Sequence, residues 1–164
     1  TLGKDRLANA TGANYLFPNK NVLCVDAGTC IKYDFINSEN EYLGGAISPG
    51  LDMRFKALHD FTAQLPLIRK KFTGIDKTKF GLLFGKGLIG QSTRDSILSG
   101  VQSGVAFEIS GIIGQYFKKF KDVNVIITGG DSAFFNSLVS KKNRIFAHPD
   151  LTLFGLNVIL NFNK

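Results

Sequence analysis

Asn21-Val22-Leu23-Cys24-Val25-Asp26-Ala27-Gly28-Thr29-Cys30-Ile31-Lys32-Tyr33-Asp34-Phe35-Ile36 changes its pattern half-way. Asn21 to Asp26 is a compact apolar strand that ends on a carboxylate, and Gly28 stands where a hairpin turn follows. Thr29 to Ile36 then alternates, with Ile31, Tyr33 and Phe35 set against Lys32 and Asp34, as in a strand half-buried on one face. Ser38-Glu39-Asn40 turns the chain again, and Tyr42 to Ile47 reads as a third strand, closed by Ser48-Pro49-Gly50. An opening strand meander of this kind makes a plain doubly wound layout the weaker expectation.

Outward from the meander, the remaining elements are mostly helical. Asp5 to Ala13 predicts a short helix ended at Gly12. Leu51, Phe55, Leu58, Thr62 and Leu65 recur at helical spacing until Pro66. A loop-rich stretch containing Phe-Gly-Leu-Leu-Phe-Gly leads to Ser92-Thr93-Arg94-Asp95, a capping-box pattern. Behind it Ile97, Val101, Val105, Ile109, Ile112, Tyr116 and Phe120 share one face of a long helix. Val123 to Thr128 is rich in β-branched residues, as in a strand buried on both faces. Gly129-Gly130-Asp131 turns into another helix with Asp131 as its cap, and Phe146 to Phe162 closes the chain mostly as helix. The fold class expected is α/β, a mixed sheet covered by helices.

Composition narrows the functional classes. The chain has 164 residues, 44% of them hydrophobic and 12% aromatic, which suits one core-forming unit and argues against disorder. No apolar run reads as a membrane span: the longest window, Ile109 to Phe120, is broken by Ser110, Gln115 and two lysines. No signal peptide is read, and the expected compartment is the cytosol. Cys24 and Cys30 form neither a disulfide framework nor a metal spacing, and His59 and His148 have no partner at ligand spacing. The net charge of +7 raises the question of anionic ligands. Its basic groups, Arg69-Lys70-Lys71, Lys118-Lys119 with Lys121, and Lys141-Lys142 with Arg144, are not interleaved with glycines or aromatics in a nucleic-acid-binding pattern, which argues for solvated faces. The chain opens on Thr1, with no Met, in a polar segment that reads like the inside of a protein.

Three places have the makings of chemistry. In Asp26-Ala27-Gly28-Thr29 the carboxylate suits a cation, the glycine lets backbone approach an anion and the threonine offers a hydroxyl; an ordinary hairpin wants the same residues. Thr128-Gly129-Gly130, between a buried strand and a helix, is a second turn suited to phosphate. Two such turns at strand ends make a phosphate or nucleotide pattern. Leu2-Gly3-Lys4-Asp5-Arg6 sets a carboxylate beside a guanidinium, a base and an anion clamp in one reading and a local salt bridge in the other. There is no Walker lysine loop, dinucleotide fingerprint or Gly-x-Ser-x-Gly elbow.

Taken in order, Thr1-Leu2-Gly3-x-Asp5-Arg6, Asp26-Ala27-Gly28-Thr29, Gly44-Gly45-x-Ile47-x-Pro49-Gly50-Leu51, Thr62-Ala63-x-Leu65-Pro66, Ser92-Thr93-x-x-Ser96-Ile97-x-Ser99-Gly100 and Thr128-Gly129-Gly130 resemble the type III pantothenate kinases, of the acetate-kinase, sugar-kinase, Hsp70 and actin superfamily. The resemblance implies an actin-like, ribonuclease H-like domain and ATP-dependent phosphorylation of pantothenate, the first step of coenzyme A synthesis. It implies Asp5 as the base for the attacking hydroxyl and Arg6 as the clamp on the pantothenate carboxylate, with Gly3 and Lys4 beside them. It implies Gly28, Thr29, Gly129 and Gly130 near ATP, Asp26 on a potassium or ammonium ion, and Thr93 reaching pantothenate across a homodimer interface. The family's Asp-x-Gly-Asn-Thr phosphate loop, which supplies the magnesium-binding carboxylate, has no counterpart here. Residues 1–20 therefore read as the end of a first domain and 21–164 as the second. The competing expectations are a regulatory, DNA-associated relative and another phosphotransferase or phosphatase of the superfamily.

Overall fold

A computed structural model describes residues 2–70, 88–138 and 143–164. Thr1, Lys71, the Phe-Gly-Leu-Leu-Phe-Gly segment at 80–85 and the Lys141-Lys142 pair lie outside the described residues. The elements in chain order are α1 (Lys4–Leu16), β1 (Val22–Ala27), β2 (Cys30–Ile36), β3 (Tyr42–Pro49), α2 (Leu51–Asp60), α3 (Thr93–Lys119), β4 (Asn124–Thr128), a 3-10 helix (Ser132–Leu138), β5 (Ile145–Ala147) and α4 (Leu151–Phe162).

The five strands form one mixed sheet in the order β3-β2-β1-β4-β5. The meander β1-β2-β3 is antiparallel, while β4 and β5 add in parallel to β1, the arrangement of the actin-like, ribonuclease H-like class. Strand period two divides the central strands cleanly. Leu23, Val25, Ala27, Ile31, Tyr33 and Phe35 face a core shared with Leu51 and Phe55 of α2 and Ile97, Val101, Val105, Ile109 and Ile113 of α3. Val22, Cys24, Ile36 and Ile126 face the other way, under Ala10 and Ala13 of α1 and Leu151 of α4.

Several boundaries depart from the sequence reading, each for a physical reason. Gly12 does not end α1, which runs on to Leu16. A Cβ at Gly12 would lie 3.1 Å from the Leu151 carbonyl oxygen, and one at Gly155 would lie 1.8 Å from that of Ala8. These glycines are where α1 and α4 cross. Helix α2 stops at Asp60, short of Pro66, where the Thr62 hydroxyl donates to the Leu58 carbonyl (2.6 Å) and takes over an end group of the helix. Ser92 caps α3 as expected, accepting from the Asp95 amide at 3.1 Å. Asp131 caps nothing: its carboxylate is taken by Lys70 (2.6 Å), and the segment after it is 3-10 rather than α. Phe146 and Ala147, read as the start of the last helix, belong to a short strand, Ile145–Ala147, that pairs with β4 before α4 begins.

By length and composition alone, α3 is long and apolar enough to cross a bilayer, contrary to the sequence reading. Half of that apolar window is buried in the protein, against the sheet and α2.

Candidate functional site

Parallel pairing sets the C-terminal ends of β1 and β4 side by side, with Asp26 in register with Thr128. The two turns singled out in the sequence are therefore neighbours, in the position where open α/β sheets gather ligands. Gly129 has a φ of +93°, and a Cβ there would come within 2.4 Å of both the Ala27 carbonyl and Asp26 Oδ1. Only glycine lets this turn fold over the end of β1. The Asp131 amide then donates to the Ala27 carbonyl at 2.9 Å, tying the second turn to the first. Gly28 is half-buried, while Thr29 and Gly130 are exposed at the rim.

The even-numbered residues of β1 and β2 carry a polar network on the α1 face. Lys32 Nζ lies 2.8 Å from Asp26 Oδ2 and 2.6 Å from Asp5 Oδ2, bridging the strand end to the first turn of α1. The hydrogen bond from Lys32 holds the Asp5 carboxyl below its ordinary range, outweighing the effect of burial. Burial alone would lower the Lys32 ammonium, yet its bonds to Asp26 and Asp5 set it above its ordinary value. Buried Asn9 donates from Nδ2 to Asp26 Oδ2 (3.1 Å), and its Oδ1 accepts from the Thr152 hydroxyl (2.7 Å), so α1 and α4 both brace this carboxylate.

One helix position further, Arg6 turns to a different partner. Its Nε (2.9 Å) and Nη2 (2.6 Å) both donate to Oδ1 of buried Asp34, and Nη2 also donates to the Tyr42 hydroxyl at 2.8 Å. Asp5 and Arg6 thus do not form the local salt bridge that adjacency allowed. Bonding to Asp34 raises the guanidinium further, and burial leads in pushing Tyr42 up to about 12, with Asp34 adding to it. Among the described residues Arg6 Nη1 makes no protein bond, so one edge of a fixed guanidinium is left for a ligand. Gly3 sits at the N-cap of α1, and Lys4 begins the helix as an exposed residue.

Thr93 lies elsewhere. It lines a groove of about 930 Å³ between α2 and α3 with Arg54, Leu58, Phe61, Leu65 and Ile97, and neither Asp5 nor Arg6 shares that lining. Arg54 is held there by Glu108, which also accepts from Tyr33 and Ser48. Among the described residues no cluster of three His, Cys, Asp or Glu side chains is arranged to hold a metal ion. The sequence reading did not single out Lys32, Asp34, Asn9 or Tyr42 as site residues. The available signal was the alternation of β2, which places Lys32 and Asp34 on the same face as Asp26.

A sequence model described as type III pantothenate kinase matches residues 1–115. The chain is 50% identical to a type III pantothenate kinase of Christiangramia forsetii over all 164 of its residues, and 45% identical to one of Cytophaga hutchinsonii over 163. It spans 62% and 63% of the lengths of these relatives. In fold it is similar to a solved structure described as a Baf family transcriptional activator from Campylobacter jejuni, with a TM-score of 0.62, 23% identity, and coverage of 99% of this chain and 65% of that one. The chain belongs to the type III pantothenate kinase family.

Proposed function

We propose that this chain is the larger part of an ATP-dependent kinase that phosphorylates pantothenate at the entry to coenzyme A synthesis, acting in the cytosol. The observation that carries the reading is the meeting of the two strand-end turns, Gly28-Thr29 and Gly129-Gly130, with Asp26 and, through Lys32, with Asp5. Phosphoryl transfer needs positioning and electrostatic stabilisation more than covalent chemistry, and this arrangement supplies both. The turns offer backbone to ATP phosphates. Asp5, kept ionised, takes the proton of the attacking hydroxyl, with Gly3 and Lys4 at the mouth of the site. Arg6, anchored through Nε and Nη2, presents Nη1 to the pantothenate carboxylate.

Magnesium belongs to the proposal as the ion that neutralises charge on the transferred phosphate. The described residues do not by themselves form a seat for it, and no step here is routed through it. Residues 1–20 then lead from a domain that carries the phosphate loop into 21–164, with α1 packed on the sheet of 21–164. Thr93 acts across a homodimer interface built on the groove it lines.

The test is mass-spectrometric detection of phosphopantothenate, with the chain alone and with an upstream Asp-x-Gly-Asn-Thr segment restored. The expected result is product in the restored protein that falls at least about a hundredfold in Asp5→Asn. No product in the restored protein overturns the kinase reading and turns attention to a non-catalytic, DNA-associated role.

A further inference from the structure

Asp26 does not present the open carboxylate that a potassium or ammonium ion would need. Its Oδ2 already receives two N–H donors, Lys32 Nζ at 2.8 Å and Asn9 Nδ2 at 3.1 Å. Its Oδ1 lies against the Gly129 turn, where even an added Cβ would be 2.4 Å away. A hard cation collects oxygen ligands, and two neighbouring oxygens are already committed: Asn9 Oδ1 to the Thr152 hydroxyl at 2.7 Å and the Ala27 carbonyl to the Asp131 amide at 2.9 Å. The reverse amide orientation would set two oxygens against each other at Asp26. Around this carboxylate the donor set therefore suits an anion's partners and not a metal's.

We infer that Lys32 supplies a built-in ammonium in place of the monovalent cation, so that this chain neither binds nor needs free potassium at Asp26. The inference rests on the reading of Asp26 as the cation's seat in the proposed kinase. Lys32 projects from β2 directly across from Asp26 in the antiparallel register, so the strand itself delivers the charge. Its ammonium is the same chemical group as a bound ammonium ion, at a comparable distance from the same oxygen, and tethering removes the entropy of capturing a free ion. Contact with Asp5 Oδ2 at 2.6 Å extends the positive charge to the proposed base, which an ion confined to Asp26 would not do. Two carboxylates and one ammonium leave this network with a single negative charge. Without Lys32 it would carry two, and a free cation would be drawn in.

The test uses the chain without nucleotide or pantothenate. Thermal unfolding is followed in potassium, ammonium and tetramethylammonium chlorides at equal ionic strength, alongside thallium(I) binding by NMR as a potassium probe. The expected wild-type result is one melting temperature in all three salts and no thallium bound at Asp26. In Lys32→Met a potassium-dependent rise of about 5 °C or more at saturating salt is expected, with thallium binding that disappears in Lys32→Met/Asp26→Asn. A potassium-specific rise or Asp26-dependent thallium binding in the wild type overturns the inference, as does a Lys32→Met protein that folds and ignores potassium. Should Lys32→Met not fold, the wild-type thallium measurement decides in either direction. None of these readouts uses turnover, so a negative phosphopantothenate assay, which would sink the kinase reading, leaves this result interpretable.

Discussion

At the scale of single residues, the side chains that matter most are charged groups that β2 turns inward. Asp34 is a carboxylate with only 1% of its side chain exposed, and among the described residues Arg6 supplies its only charged partner. Removing one member of such a pair leaves a buried charge alone, so Arg6→Leu is expected to cost about 3 kcal/mol in urea unfolding. Arg6→Lys keeps the charge but not the rigid pair of N–H groups on Oδ1, and should lose roughly half as much. Equal losses in the two variants would show that geometry, not charge, holds the pair. Glu108 gives a pH dependence of known sign. Burial pushes its carboxyl up, but hydrogen bonds from Ser48, Arg54 and Tyr33 together bring it below the ordinary glutamate range. Its contribution is thus fully present above the unfolded value, about pH 4.3, and is lost as pH falls through the lower folded value. Glu108→Gln should lower the melting temperature at neutral pH and show a shallower decline through that acid window. A parallel decline would place the acid sensitivity in other carboxylates. These inward charges were half legible: period two put Lys32 and Asp34 on one face, but only α1 lying across that face makes it an interior.

At the scale of elements, the crossing of α1 and α4 is the least forgiving contact. Leu16 is reached only because Gly12 and Gly155 let the two backbones approach, and this closeness brings Asn9 to Asp26 and Thr152 to Asn9. A methyl group at Gly155 would need to occupy space 1.8 Å from the Ala8 carbonyl oxygen, which is backbone and cannot swing aside. Gly155→Ala is therefore expected to destabilise by about 3 kcal/mol, or a melting temperature lower by roughly 6–12 °C, although alanine is the better helix former. A neutral or stabilising result would mean the helices separate at little cost. The same contact explains why sequence reasoning ended α1 early. A glycine inside a helical pattern looks like a stop signal until the partner helix is known, and α4 lies more than a hundred residues away. The meander, by contrast, was readable because strand period and turn residues are local. β5 was not: three residues, Ile145–Ala147, are too few for alternation to show.

At the scale of the whole molecule, the two faces of the sheet have different duties. The α1–α4 face carries the polar network, whereas the α2–α3 face holds the larger core and opens into the groove that contains Thr93. The sequence reading set a phosphate-type turn at the end of each of two strands, and it is the parallel pairing of β1 with β4 that brings the two turns to the same edge. The sequence gave no means of placing Thr93, whose groove is separate from Asp5 and Arg6 in one copy. A second copy across the groove is the arrangement that gives Thr93 a role in the proposed kinase. The groove suits such a contact: Phe61 is 87% exposed at its edge, beside Leu58, Leu65, Ile97 and Val101, and an apolar surface of this kind is where an interface forms. Replacing Phe61 with a charge puts an unpaired carboxylate into that contact without touching the core of one copy. Sedimentation velocity is expected to find the wild type as a dimer and Phe61→Asp as a monomer with an unchanged circular dichroism spectrum. A wild type that sediments as a monomer, or a Phe61→Asp dimer as tight as the parent, would remove the groove as the interface and with it the role of Thr93.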